Sequence, residues 1–273
     1  MRHVALCMLD IEFAELSDPG RVRSHNEDYL GHVVPESPAR ARSHGWIFAL
    51  ADGVGGQRQG EVASRAAVQE VLGGFRRAKE NILHKDLVNQ LVQAANARVC
   101  EAEALSGRAG VGMASTIVVC GLRFDRATVG HVGDSRCYLI RSGEARCLTR
   151  DHTVAAEQVR MGTLSADEAE KSTTRHVLSR SLGMNLFVSV EIGDVQLLPG
   201  DVLLLCSDGL HGAMAADQMA KIAERNRDLK RAAKELVAAA NEQDGSDNAS
   251  VQLIRIRAVE RVGMYRGRPY KLR

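Results

Sequence analysis

The chain lacks an excess of charge. Its 36 lysines and arginines stand against 34 acids, a formal net charge of +2, which removes any global argument for nucleic-acid or membrane binding. It also lacks a C-x-x-C pair. Its six cysteines (Cys7, Cys100, Cys120, Cys137, Cys147 and Cys206) are scattered, most of them in apolar or strand-like stretches. They read as buried thiols of a reducing compartment and exclude a zinc site or a disulfide framework. No apolar run approaches membrane-spanning length, and the N-terminal one, residues 4–9, stops at Asp10, too short for a signal peptide. No internal repeat and no linker interrupts the chain. These absences point to a cytoplasmic, globular protein. Its 45% hydrophobic and 26% charged residues suit a sizeable core. The expected organisation is one domain over residues 1–258 and a basic tail over 259–273, either disordered or a short interaction arm.

What is present centres on residues 46–56. Five apolar residues, 47–51, read as a strand buried on both faces, and they run into Asp52-Gly53 and then Gly55 and Gly56. A lone Asp-Gly is most simply a hairpin turn. A second copy changes the weighing: Val202-Leu203-Leu204-Leu205-Cys206-Ser207 is again an apolar strand, ending in Asp208-Gly209. Two buried strands with the same acidic end bring carboxylates toward one spot.

Around these strands the period of the pattern alternates. Residues 11–16 and 29–34 read as strands and 35–44 as a surface loop. Apolar residues Val62, Ala63, Ala67, Val71 and Phe75 mark a helix over 60–78. A second helix follows, with Leu83, Leu87, Leu91, Ala95 and Val99 spaced by four. Strands are expected at 115–122, 127–132, 137–140, 145–148, 188–198, 201–206 and 251–256, and helices at 215–225 and 228–241. Residues 150–180 are irregular and polar, either a flap over a site or a long connection, with one helical piece opened by the capping box Ser165…Glu168. Hairpin-linked strands with helices in consecutive pairs exclude a parallel βαβ protein. They predict an α+β fold of two antiparallel sheets packed face to face with helix pairs outside.

Asp28, Asp52, Asp134, Asp208 and Asp247 all lie in loops at or beside strand ends, next to Gly, Asn or Ser. Five carboxylates in one cleft repel unless cations neutralise them. Hard oxygen ligands without accompanying Cys or His select Mg²⁺ or Mn²⁺. Two such ions can activate a water, and phosphate is a fitting electrophile. Arg23, close in sequence to the acids, can grip phosphate oxygens with its planar fork.

Five motifs then occur in order: Arg23-x-x-x-Glu27-Asp28, Ala51-Asp52-Gly53-x-Gly55-Gly56, Gly133-Asp134-Ser135-Arg136, Cys206-Ser207-Asp208-Gly209 and Asp247-Asn248. Together they resemble the metal-dependent type 2C serine/threonine protein phosphatases, particularly the compact bacterial ones, over residues 11–257. Residues 149–153 and 177–183 look like that family's flap segment. The resemblance implies a four-layer αββα sandwich with two Mn²⁺ or Mg²⁺ ions at one end of the sheets. By motif, Asp52 bridges both ions and the Gly53 carbonyl binds one. Asp208 and Asp247 complete the first site, and Glu27 and Asp28 hold the ions partly through water. Asp134 with Asp208 matches the ligands of a third, weaker ion, and Arg23 matches the phosphate-binding arginine. The implied chemistry is in-line attack of a metal-bridging hydroxide on phosphoserine or phosphothreonine of proteins, with no phosphoenzyme. The implied partners are phosphorylated proteins, products of a serine/threonine kinase, met by a monomer.

Two departures stand out. Family members carry a candidate leaving-group acid, a histidine, at positions occupied here by Val54 or Gln57. His152 and His176 are possible stand-ins, with surface or structural roles as the simpler reading. Two other functions share the motifs: a non-catalytic phosphoprotein-binding relative, and a hydrolase of small phosphate esters, since the residues specify the chemistry and not the leaving group.

Overall fold

Alternation along an extended strand sends neighbouring side chains to opposite faces, so an apolar run such as 47–51 needs two cores. The computed structural model, which describes residues 9–54, 59–80, 82–106, 112–260, 262–265 and 268–271, supplies them. In chain order the elements are β1 (Asp10–Asp18), β2 (Asp28–Val33), α1 (Pro38–Ser43), β3 (Trp46–Val54), α2 (Gln59–Arg77) and α3 (His84–Leu105). Then come β4 (Ala114–Ser115), β5 (Ile117–Arg123), β6 (Arg126–Val132), β7 (Arg136–Arg141), β8 (Glu144–Cys147), α4 (Val154–Arg160) and α5 (Ala166–Glu170). The chain continues through β9 (Glu191–Gln196), β10 (Val202–Cys206), α6 (Asp208–His211), α7 (Ala216–Arg225), α8 (Leu229–Gln243), β11 (Ala249–Ala258), β12 (Val262–Tyr265) and β13 (Arg268–Lys271).

Two five-strand paths result, both antiparallel: β1-β11-β10-β7-β8, and β2-β3-β5-β6-β9 with the short β4 on β3. Phe48 and Leu50 of β3 meet Leu203 and Leu205 of β10 in the core between the sheets. Ile47, Ala49 and Ala51 turn the other way, onto Val68, Val71 and Leu91 of α2 and α3. Val202, Leu204 and Cys206 face Ala220, Leu236 and Val237 of α7 and α8. Three cores separate four layers, helices–sheet–sheet–helices, as the resemblance implies. Each fully buried Leu, Ile or Phe contributes about 2 kcal/mol by leaving water.

Registry decides where the acids land. Asp28 pairs directly with Asp52 across β2 and β3. In the other sheet Cys206 pairs with both Arg136 and Val251, so Asp208, Asp134 and Asp247 leave neighbouring strands at the same end. Asp18 pairs with Ala249, which starts the 19–27 loop at that end too.

Four expectations shift. Residues 38–43 form a helix and not a loop, because Ser37 caps it, its Oγ accepting the Arg40 N–H at 3.2 Å, with Pro38 in the first turn. The Asp208-Gly209 turn is itself the start of α6. The strand expected over 188–198 is confined to 191–196. Within the basic tail β12 and β13 pair antiparallel, Val262 opposite Lys271. Among the described residues no helix is long and apolar enough to cross a membrane.

Candidate active site

Asp52 stands on a clamped backbone. Its N–H donates to Thr116 Oγ1 at 2.9 Å, and its carbonyl accepts the Thr116 N–H at 2.8 Å and the Ser115 hydroxyl at 2.9 Å. The residue after it must be glycine for lack of room: a Cβ at Gly53 would lie 2.0 Å from the Gly60 carbonyl oxygen, at the start of α2. The second Asp-Gly obeys the same rule, since a Cβ at Gly209 would lie 2.2 Å from the Asn248 carbonyl oxygen. The repeated dipeptide therefore reports close backbone approach twice, once at each strand end.

Asp28 is buried, and its Oδ2 accepts the Ser207 hydroxyl at 2.7 Å; Ser207 Oγ in turn accepts the Ser250 N–H at 3.0 Å. Asn248 ties the 19–27 loop down: its Nδ2 donates to the carbonyls of Pro19 and His25, both at 3.0 Å, while its Oδ1 accepts the Glu27 N–H at 2.8 Å. Arg23 reaches Asp247 with Nη2 donating at 2.7 Å, both side chains partly open to solvent. Asp134 is buried, and its carbonyl accepts from His211 Nε2 at 3.0 Å.

The electrostatics of this cluster are strained in one direction. Burial pushes Asp52 well above the ordinary aspartate range, and the charges of Asp28, Asp208 and Asp134 add to it. Burial, with the charges of Asp208 and Asp247 behind it, lifts Asp28 to about 7 against the hydrogen bonds of Ser250 and Ser207. Asp134 is likewise pushed up to about 7, by burial and then by Asp208. Asp208 rises through burial and the Asp247 charge, and Glu27 through burial that Arg23 partly offsets. The hydrogen bond to Asp247 raises Arg23 further. Two buried oxygens, Oδ1 of Asp28 and Oδ1 of Asp208, have no hydrogen-bond partner. Orphaned acceptors among acids that resist ionising suit hard divalent cations, so the residues present fit a Mn²⁺ or Mg²⁺ centre.

The structure thus brings Glu27, Asp28, Asp52, Gly53, Asp208 and Asp247 to one end of the sandwich, with Arg23 at their edge and Asp134 against Asp208. Val54 ends β3 with its side chain 45% exposed, and Gln57 lies outside the described residues. His152 is a structural residue. It is buried, its Nδ1 accepts the Gly133 N–H at 3.1 Å, and burial drives it down to about 4. Together with His131 and Glu191 it forms a trio whose ligand-type atoms lie within 4.8 Å of one another. That trio does not suit a metal. With Nδ1 accepting, Nε2 carries the proton, and the Arg180 guanidinium sits 3.2 Å from it. His176, by contrast, is exposed and lines a groove beside Asp134 and Asp208. Motif reading gave no role to Ser207, Thr116 or His211. Ser207 carries a faint signal, as the residue before Asp208; Thr116 and His211 carry none.

Comparison with known proteins gives the family. The family model for protein phosphatase 2C matches residues 21–254, and the chain belongs to that family, whose members are protein phosphatases. It is 33% identical over 256 residues to the serine/threonine phosphatase stp of Listeria welshimeri, covering 92% of this chain and 96% of that one. In structure it resembles the serine/threonine phosphatase of S. agalactiae, with a TM-score of 0.81 at 27% identity over 90% of this chain and 100% of that one. It also resembles the catalytic domain of the serine/threonine protein phosphatase PstP in complex with two manganese ions, with a TM-score of 0.76 at 27% identity over 90% of this chain and 98% of that one.

Proposed function

We propose that the chain removes phosphate from phosphoserine and phosphothreonine of proteins in a metal-dependent hydrolysis that forms no phosphoenzyme. The observation that carries this reading is the pair of orphaned buried oxygens on Asp28 and Asp208, inside a ring of acids whose charges repel. Asp52, Asp208, Asp247 and the Gly53 carbonyl would hold two Mn²⁺ or Mg²⁺ ions, with Glu27 and Asp28 contributing in part through water. Asp134 with Asp208 would hold a third, weaker one. When bound, such ions lower the pKa of water for attack on phosphorus and neutralise phosphate oxygens.

The chain's own residues do the positioning. Thr116 and Ser115 fix the Asp52 backbone, Ser207 orients Asp28, and Asn248 holds Glu27 against the cluster. Arg23, exposed on its outer side and paired to Asp247, is placed to exchange that carboxylate for two phosphate oxygens. No histidine at position 54 or 57 supplies the leaving-group proton. The relatives' printed names and the family's description support protein phosphomonoesters as substrates.

The test is phosphate release from a phosphothreonine peptide with Mn²⁺, without it and after chelation, alongside calorimetric titration of Mn²⁺. Release and binding should both vanish in chelator. Release that ignores chelator overturns the metal reading. Arg23→Ala should raise KM about tenfold while leaving Mn²⁺ binding in place.

A further inference from the structure

A groove of about 880 Å³ runs from Asp134 and Asp208 along α4 and α5. It is far larger than a phosphate group needs and within the size range of sites that take up a drug-sized ligand, room for residues beside the phosphate. Its lining is apolar at Ala155, Ala156 and Val159 of α4 and at Ala166 and Ala169 of α5. Outside the acidic cluster its charged lining is Arg136, Arg150, Arg160 and Arg175 against Asp151 and Glu170, four cations to two anions.

The pairing of these groups sharpens the imbalance. Arg136 and Asp151 cancel, joined by two hydrogen bonds of 2.8 and 2.7 Å. Arg160 is held by Glu157 at 2.7 Å. Arg150 and Arg175 have no carboxylate partner among the described residues. The Arg175 side chain is anchored, donating to the Glu170 carbonyl at 3.0 Å and to His176 at 2.7 Å, and the backbone of Arg150 is fixed, its carbonyl held by His131 at 2.7 Å. Two guanidinium groups without a carboxylate partner, beside a phosphate site, attract carboxylates and repel lysines.

From this we infer that the groove selects phosphoproteins whose phosphorylated residue is flanked by aspartate or glutamate, with Arg150 and Arg175 as the specificity-determining residues. The inference rests on the protein-phosphatase reading above and adds to it the chemistry of the flanking sequence. Each exposed charge pair is worth roughly a two- to fivefold change, so two of them amount to about tenfold in kcat/KM at low salt.

The experiment compares two phosphothreonine peptides of equal length, one with acidic and one with lysine flanks, in Mn²⁺ at low and high KCl. Wild type should prefer the acidic peptide about tenfold, and the preference should shrink as salt screens it. Arg150→Glu with Arg175→Glu should abolish or invert the ratio, and Arg150→Lys with Arg175→Lys should retain it. The ratio cancels any general loss of activity. Equal use of both peptides by wild type, or a preference that survives the double charge reversal, overturns the groove's role and leaves the phosphatase reading standing. Failure to hydrolyse either peptide overturns both.

Discussion

The acidic end of the sandwich and the flap face each other across one groove, and they are built by opposite means. The acids sit on strand ends and are locked by hydrogen bonds between residues far apart in sequence, Ser207 to Asp28 and Glu27 to Asn248 among them. The helical part of the flap, α4 and α5, is held largely by neighbours: the Ser165–Glu168 capping box and the Arg160–Glu157 pair. One residue of α4 is fully buried, Ala155, and none of α5. A long-range lattice can hold like charges in place against their repulsion, whereas a locally bonded segment cannot. The side that must carry charge is therefore rigid, and the side proposed to meet the substrate is weakly anchored.

The hardest break is at the two proposed metal ligands that end β3 and follow β10. Asp52→Asn or Asp208→Asn should lower kcat with Mn²⁺ by about a thousandfold, a loss typical of removing a group from the reacting centre. The same substitutions should raise the melting temperature of the chelated protein, because a carboxyl that resists ionising is replaced by a neutral amide. If Asp52→Asn keeps wild-type rates, the assignment of the bridging ligand is wrong.

A pH series probes the same strain without mutation. Asp28 and Asp134 are lifted from the usual 3.8 to about 7, so the folded state holds protons that the unfolded chain has already released. Their contribution is whole below about pH 4 and is lost as pH rises toward and through 7. The chelated protein should therefore be less stable at pH 8 than at pH 5 by on the order of 1–3 kcal/mol. Mn²⁺ should reverse the order, since it binds the ionised carboxylates. Equal melting temperatures at both pH values in chelator would mean that the acids are not strained together.

Sequence legibility divides along the same line. Both apolar strands, both helix pairs and the capping box are written in local period and were readable, and so were the acids, each beside Gly, Asn or Ser at a strand end. The support beneath those acids was not. Thr116 reaches Asp52 across 64 positions, and Ser207 reaches Asp28 across 179. No local pattern encodes a contact that only strand register creates. The Ser37-Pro38 signal for α1 was there in the residues but is overshadowed by the polar, proline-bearing stretch around it. The groove's charge balance needed three dimensions, because Arg136 is neutralised by Asp151 and Arg150 by no carboxylate among the described residues.

A smaller break tests crowding at the acidic end. Gly209→Ala puts a methyl 2.2 Å from the backbone carbonyl oxygen of Asn248, which has no flexible side chain to yield. The cost should be about 1–3 kcal/mol, read as a lower denaturant midpoint with an unchanged slope. Weaker Mn²⁺ binding should accompany it, because Asn248 also holds the Glu27 loop. A neutral result would place the slack of the structure at this end and not in the flap.

The smallest effect belongs to the flap. Ser165 caps α5 with its Oγ accepting the Glu168 N–H at 3.3 Å, while Glu168 accepts the Ser165 N–H at 2.8 Å. Ser165→Ala removes one half of that box, worth about 1 kcal/mol to the helix. Because α5 buries no residue, the loss should stay local. Amide exchange across 166–170 should quicken about fivefold, while the global melting temperature moves by less than about 1 °C. A fall of several degrees instead would show that the flap is coupled to the sandwich as tightly as the acids are, and the contrast between the two sides would fail.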